Sequence, residues 1–221
     1  IAVDFPEFDG TSSAVSELVR KYNVLMAEIQ KARDEIYFEG MTDLDKLLLA
    51  HDYIVNNNAY YLTYDVNGNK YYGDGYSFNA YGILVNKQGV CQGLSYAYPC
   101  ILKALGYPVE NIRQIRSTEM KHMWNFVKLD DKWYHVDLTW DDPTYRPSAD
   151  EKYDMTDASL QHEHHDYLLI SDATNTKLRN EKGYEGFTLE ILGYDDSDHS
   201  LADDASYESG WFFNDPTSNG T

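Results

Sequence analysis

His122-Met-Trp-Asn-Phe-Val-Lys-Leu129 and Lys132-Trp-Tyr-His-Val-Asp137 are two apolar-rich runs separated only by Asp130-Asp131. A two-residue acidic turn between such runs predicts an antiparallel hairpin. With Leu129 facing Lys132, Trp124 lies opposite Asp137 and His122 lies opposite Thr139. His122 and Asp137 then share one face as diagonal neighbours, about 6–8 Å apart and within side-chain reach. A slip of one residue would send them to opposite faces. The hairpin therefore brings an imidazole and a carboxylate together, and His135 and Trp124 share their face.

Working outward, Ile112 to Ser117 reads as a third strand before the hairpin. The run from Cys91 to Leu105 is helical, and Gly106 with Pro108 ends it. Cys91 stands where the loop Gln88-Gly89-Val90 enters that helix. Amides at a helix N-terminus favour a thiolate, and a nearby imidazolium lowers the thiol pKa further. Gly93 is expected to leave room for a substrate backbone near the sulfur. The only other cysteine is Cys100. Nine helical residues separate the two by about 13 Å on opposite faces, whereas a disulfide needs Cα atoms within about 7 Å. They are expected not to pair. The set Cys91, His122 and Asp137 supplies a nucleophile, a base and an orienting group, as covalent acyl transfer requires.

Towards the N-terminus, Val15, Leu18, Val19, Tyr22, Leu25, Met26, Ile29 and Ile36 mark an amphipathic helix over Ser13 to Phe38. A second helix opens at Thr42, with Asp45 placed for a capping box, and ends in Asn56-Asn57-Asn58. Asp65 to Gly75 is turn-rich; it lacks the glycine and glutamate positions of a calcium-binding EF-hand loop. After Asp142-Pro143 comes a polar excursion to about Gln161. Tyr167 to Ile170 reads as one more strand, and Ser171 as the cap of a short helix. These elements predict an α+β fold: helices first, then an antiparallel sheet against which the Cys91 helix packs. The whole of 1–221 reads as one domain. It has a helical part at about 11–58, a catalytic core at about 77–171 and a loop-rich extension at about 172–221.

Composition narrows the function. The chain has 221 residues, 43% of them apolar and 14% aromatic, which is a globular composition. Its formal charge of −19 opposes phosphate backbones and anionic membrane surfaces, so nucleic acid is not an expected partner. No apolar run is long enough to span a bilayer. The first residue is Ile1, and the chain is rich in Asn, Asp, Gly and Tyr, with 20 tyrosines. The expectation is an extracytoplasmic protein from which an upstream segment has been removed.

Two further clusters are discounted. Gly93-Leu94-Ser95-Tyr96-Ala97 is a near miss to a serine-hydrolase elbow, with alanine in the last glycine position. His162-Glu163-His164-His165-Asp166 is rich in metal-binding groups, but lacks the spacing that puts two ligands on one helix face. It reads as a solvated loop, so no metal and no cofactor is expected.

The strings Val90-Cys-Gln-Gly93, His122-Met-Trp-Asn125 and Trp133-Tyr-His-Val-Asp-Leu-Thr-Trp-Asp-Asp-Pro143 resemble the transglutaminase-like superfamily, in its bacterial and archaeal branch with a papain-like core. The likeness covers about 80–143, and more loosely 42–171. It implies Cys91 as nucleophile, His122 as general base and acid, and Asp137 as the residue orienting His122. It also implies attack on a carboxamide or peptide carbonyl through a thioester. The Cys91 amide would hold the oxyanion with one side-chain donor, drawn in this family from an upstream aromatic. Tyr60, Tyr61 and Tyr64 are candidates, with Gln92 secondary, and Trp124 is a candidate wall of the groove. The expected activity is that of a secreted cysteine peptidase or amidase acting on protein or cell-wall peptide. The alternatives are a cross-linking transamidase and a non-catalytic cell-surface binding module.

Overall fold

The computed structural model describes residues 12–61, 63–64, 70–71, 73, 75–142, 165–192, 202–203 and 205–208. The described residues open with helix α1 (Ser12–Ile36), followed by α2 (Asp43–Asn56). Thr42 caps α2 through the expected capping box with Asp45: the Thr42 hydroxyl accepts the Asp45 amide, and the Asp45 carboxylate accepts the Thr42 amide. Short segments follow: β1 (Ala59–Tyr60), β2 (Thr63–Tyr64), β3 (Lys70–Tyr71), a 3-10 turn at Gly75–Phe78, α3 (Ala80–Leu84) and β4 (Gln88–Gly89). Helix α4 (Cys91–Ala104) leads to β5 (Ile112–Ser117), β6 (His122–Leu129) and β7 (Lys132–Val136). The described elements close with α5 (Leu138–Asp141), β8 (Leu168–Ile170), α6 (Asp172–Glu181) and β9 (Glu190–Ile191).

The sheet is antiparallel and five-stranded, in the order β8-β7-β6-β5-β9. Leu129 pairs with Lys132 and Asn125 with Val136, which is the hairpin register read from the sequence. Asp130 and Asp131 both take positive φ, 51° and 65°, the turn geometry that matches strand twist in a two-residue hairpin. The fold is α+β, as expected. Helix α4 is sandwiched: Leu94, Ala97, Tyr98, Ile101 and Leu102 are buried in one core with α1, α2, α3 and the inner sheet residues Val127, Tyr134 and Val136. Asn125, fully buried on β6, donates its side-chain amide to the Ser95 carbonyl at 3.0 Å and so ties the sheet to α4.

The hairpin ladder ends one pair earlier than the sequence pattern implies. Asp137 leaves the sheet, donates its amide to the Tyr167 carbonyl at 3.0 Å and caps α5. Thr139 is accordingly in a helix rather than opposite His122. The turn-rich segment 65–69, the excursion 143–164 and most of the acidic tail after Asp195 lie outside the described residues. No described helix is long and apolar enough to cross a membrane.

Candidate active site

Cys91 is the first residue of α4, and its approach is set by close backbone packing. β1 runs parallel to β4, pairing Ala59 with Gln88 and Tyr60 with Gly89, which fixes the strand that delivers Val90 and Cys91. The Val90 amide donates to the Ser77 carbonyl at 3.0 Å. A Cβ on Gly93 would collide with that same carbonyl oxygen, and one on Gly89 would stand 2.8 Å from it. Gly93 is thus spent on seating α4 against the 3-10 turn, a correction to its expected role of leaving room for substrate.

His122 opens β6 opposite Ser117. Its Nε2 lies 2.7 Å from Asp137 Oδ2. The two residues meet as expected, but the carboxylate reaches His122 from a helix cap rather than across a strand pair. Asp137 Oδ1 accepts the Thr139 amide at 3.1 Å, which is the capping bond. The His122 side chain and the Met123 amide both act on the Cys91 thiol, lowering its pKa. Cys91, His122 and Asp137 therefore form one connected set, with Cys91 half-exposed and the other two buried.

The electrostatics of the set run in one direction. Burial pushes the Cys91 thiol up, but the hydrogen bond and charge of His122, with the Met123 amide, outweigh it and hold the thiol below its ordinary value. Burial pulls His122 down, and the Asp137 carboxylate with Cys91 more than restores it, to about 9. Burial likewise opposes ionisation of Asp137, yet His122 and Arg179 bring it down to about 2. These shifts favour a protonated His122 above an ionised Asp137, and they make the Cys91 thiol easier to ionise.

Arg179 is the member that sequence reasoning missed. It comes from α6, is 0% exposed, and places Nη2 2.6 Å from Asp137 Oδ2. Its Nε donates to Asn175 Oδ1 at 2.8 Å. The guanidinium lies over the rings of Trp124, Trp140 and Tyr167 at 4.2, 4.9 and 5.4 Å. Three aromatic faces and one carboxylate thus replace the water that a buried cation loses. The one local signal was the spacing of Asn175 and Arg179, one helical turn apart. Arg179 lies outside the stretch of about 77–171 expected to form the catalytic core.

Trp124 does not wall the groove. It is 1% exposed, stacks under the His122 ring at 5.4 Å, and donates its indole N–H to His135 Nδ1 at 2.9 Å. That indole is committed and has no donor left for an oxyanion. His135 in turn bonds Asp172 through Nε2 at 2.7 Å, and burial holds its pKa below the usual value, so it supports Trp124 as a neutral ring. Tyr60 is buried in the core, and Tyr61, half-buried, follows it at the end of β1. The Tyr64 side chain lies outside the described residues. Gln92 is half-buried in the first turn of α4, and its carbonyl accepts the Ser95 hydroxyl at 2.9 Å. Ser95 itself is 2% exposed, which does not suit a nucleophile. Cys91 and Cys100 are both free thiols, as their helical spacing required.

The sequence model of the transglutaminase-like superfamily matches residues 30–138, a span that carries Cys91, His122 and Asp137. Residues 30–138 belong to the transglutaminase-like superfamily. Arg179 and the rest of α6 lie beyond the matched superfamily span. Among solved structures, a protein described as a TGase resembles this chain at 13% identity and a TM-score of 0.39. The likeness covers 94% of this chain and 48% of the other, so the chain spans about half the length of that protein. No curated protein matches the chain.

Proposed function

We propose that this chain is a thiol acyl-transfer enzyme of the transglutaminase-like superfamily, acting as a cysteine peptidase or amidase with Cys91, His122 and Asp137 as its triad. The observation that carries the reading is the 2.7 Å contact of His122 Nε2 with Asp137 Oδ2, together with the lowering of the Cys91 thiol pKa by that same imidazole.

The chemistry follows from the charges. The Cys91 thiolate attacks a carboxamide or peptide carbonyl, and the negative charge moves to the oxygen beside the α4 N-terminal amides. His122, protonated near neutral pH, gives its proton to the leaving amine as the tetrahedral species collapses to a thioester. The neutral imidazole then takes a proton from water as that water attacks the thioester. The acid product and the Cys91 thiolate are released, with one water proton on His122 and the other lost to solvent as the acid ionises. Asp137 holds the ring in one orientation and stabilises its charged form, as the aspartate of a Ser-His-Asp triad does.

Water is the default acceptor of the acyl group, so hydrolysis is preferred over transamidation. The substrate class is protein or cell-wall peptide, in an extracytoplasmic setting. Iodoacetamide labelling tests the nucleophile. Cys91 is expected to label rapidly near pH 7, and His122→Ala to abolish that advantage. Cys100, whose thiol burial pushes up to about 11, is expected to stay unlabelled. Labelling of Cys91 that begins only well above pH 8 would overturn the proposal. Product analysis on a glutamine-containing peptide, with and without a primary amine, separates the two acceptors. Amine-linked product alone would favour the transamidase.

A further inference from the structure

The tertiary fold gathers a second set of imidazoles and carboxylates from α2, the end of α5 and the lead-in to β8. His51, on α2, is 0% exposed and has a carboxylate at each ring nitrogen. Its Nε2 lies 3.1 Å from Asp141 Oδ2, and its Nδ1 lies 2.9 Å from Asp52 Oδ1. The same Asp52 oxygen is 2.8 Å from Nε2 of His165. His165 belongs to the stretch that the sequence reads as a solvated loop, yet its side chain is only 10% exposed. One donor atom from each of His51, Asp52 and His165 lies within 4.8 Å of the others.

We propose that His51, Asp52 and His165 form a binding site for a divalent transition-metal ion, with zinc as the best-matched ion. His51 Nδ1, Asp52 Oδ1 and His165 Nε2 are the ligands. Two imidazoles and one carboxylate are a zinc-type donor set, whereas calcium and magnesium take oxygen donors.

The surroundings of the cluster fit the assignment. A metal-bound imidazole characteristically gives its other N–H to a carboxylate that fixes the ring and its tautomer. Asp141 stands in that position on His51. It is itself held, because its Oδ1 accepts the Tyr167 amide at 2.9 Å. With Nε2 carrying the proton, the Nδ1 lone pair of His51 faces Asp52 and His165. Tetrahedral zinc with bonds of about 2.0–2.1 Å spaces its ligands roughly 3.4 Å apart. The two separations from Asp52 Oδ1, 2.9 and 2.8 Å, open outward toward that spacing, and the imidazole nitrogens, within 4.8 Å of each other, close toward it. Asp52 is 27% exposed, so a fourth position opens to water. Binding releases the protons of His51 Nδ1 and His165 Nε2 to solvent, and bonds from the ion to both nitrogens and to Asp52 Oδ1 replace the two hydrogen bonds to that oxygen.

The ion would tie three separate pieces together. His51 and Asp52 lie on α2, His165 leads into β8, and Asp141 ends the short helix that Asp137 begins. The ion's three ligands are distinct from Cys91, His122 and Asp137.

The test uses the full chain carrying Cys91→Ser, so that the thiol cannot act as a ligand. Zinc is titrated in competition with a chromophoric chelator, and cobalt(II) is bound in parallel. The expected result is one zinc per chain and the visible absorption of four-coordinate cobalt. His165→Gln and Asp52→Asn are each expected to weaken zinc by more than about 100-fold, and Asp141→Asn by about 10–100-fold with the stoichiometry kept. His51→Gln is the same comparison at a buried position; should it fail to fold, the His165 and Asp52 variants, checked by circular dichroism, decide the matter. Absence of saturable binding would overturn the site. So would binding that the His165 and Asp52 variants leave unchanged.

Discussion

His122 and Arg179 bond the same carboxylate oxygen, Asp137 Oδ2, at 2.7 and 2.6 Å. One imidazole and one guanidinium thus share a single buried anion, and its other oxygen caps α5. The orientation of His122 is therefore tied to α6, a helix far along the chain.

Arg179 is accordingly a positioning residue, and Arg179→Lys tests it with the charge retained. A lysine cannot fork between Asp137 and Asn175, so the carboxylate loses one of its anchors. The expected outcome is a folded protein whose kcat falls by roughly 10²-fold, with KM little changed. The pH at which Cys91 begins to label with iodoacetamide should also move, because Asp137 reaches Cys91 through His122. A purely structural role would lower the melting temperature and leave that pH where it was. Arg179→Met should cost about 3–5 kcal/mol, since it leaves Asp137 with less compensation in the interior.

The pH profile of kcat/KM should be bell-shaped. Its acid limb reports formation of the Cys91 thiolate and lies below the ordinary thiol range. Its alkaline limb reports loss of the His122 proton and lies near 9. Both limbs belong to the coupled pair rather than to either residue alone. Asp137→Asn removes the charge that raises His122, so the alkaline limb should shift to lower pH. The same change should reduce kcat by about 10⁴-fold, the effect of the equivalent substitution in a Ser-His-Asp triad. An unshifted alkaline limb in that variant would contradict the assignment.

Stability should carry the same signature with a definite sign. The folded-state pKa of His122, about 9, exceeds its ordinary value of 6.5. Its contribution is therefore complete below pH 6.5 and is lost as the pH rises through 9. Denaturant midpoints for the wild type should fall across that window by an amount on the order of 3 kcal/mol relative to His122→Gln. A wild-type advantage that stays flat between pH 6 and 9.5 would count against the ion pair.

Gly93→Ala is expected to destabilise the protein even though alanine is the better helix former. The added Cβ meets the Ser77 carbonyl, a backbone atom that cannot rotate away. Overpacking of this kind costs about 1–3 kcal/mol, partly offset by about 1 kcal/mol of helix propensity. The first turn of α4 must shift, so Cys91 labelling should slow together with the fall in thermal midpoint. A substrate-access role for Gly93 would instead raise KM at unchanged stability.

Much of this geometry follows from short-range rules. The hairpin register came from a two-residue turn and the alternation of faces, and Asp130 and Asp131 adopt the backbone the turn requires. Thr42 with Asp45 and Ser171 with Thr174 are capping patterns visible in the sequence and present in the fold. The end of β7 was less legible. Strand periodicity continues through Asp137, but its side chain gains more by capping α5 and accepting from two cations than by remaining in the ladder.

What the sequence determined by itself was the order and register of local elements, and with them the pairing of His122 with Asp137 and the independence of Cys91 from Cys100. These rest on turn geometry and helical pitch, which depend on neighbours in the chain. Only the tertiary structure decided that Arg179 completes the Asp137 environment, that Gly93 seats α4 against Ser77, and that His165 reaches His51 and Asp52. Those contacts join residues from 16 to 114 positions apart. Such pairings arise from how the layers pack, and no periodicity in the chain records them.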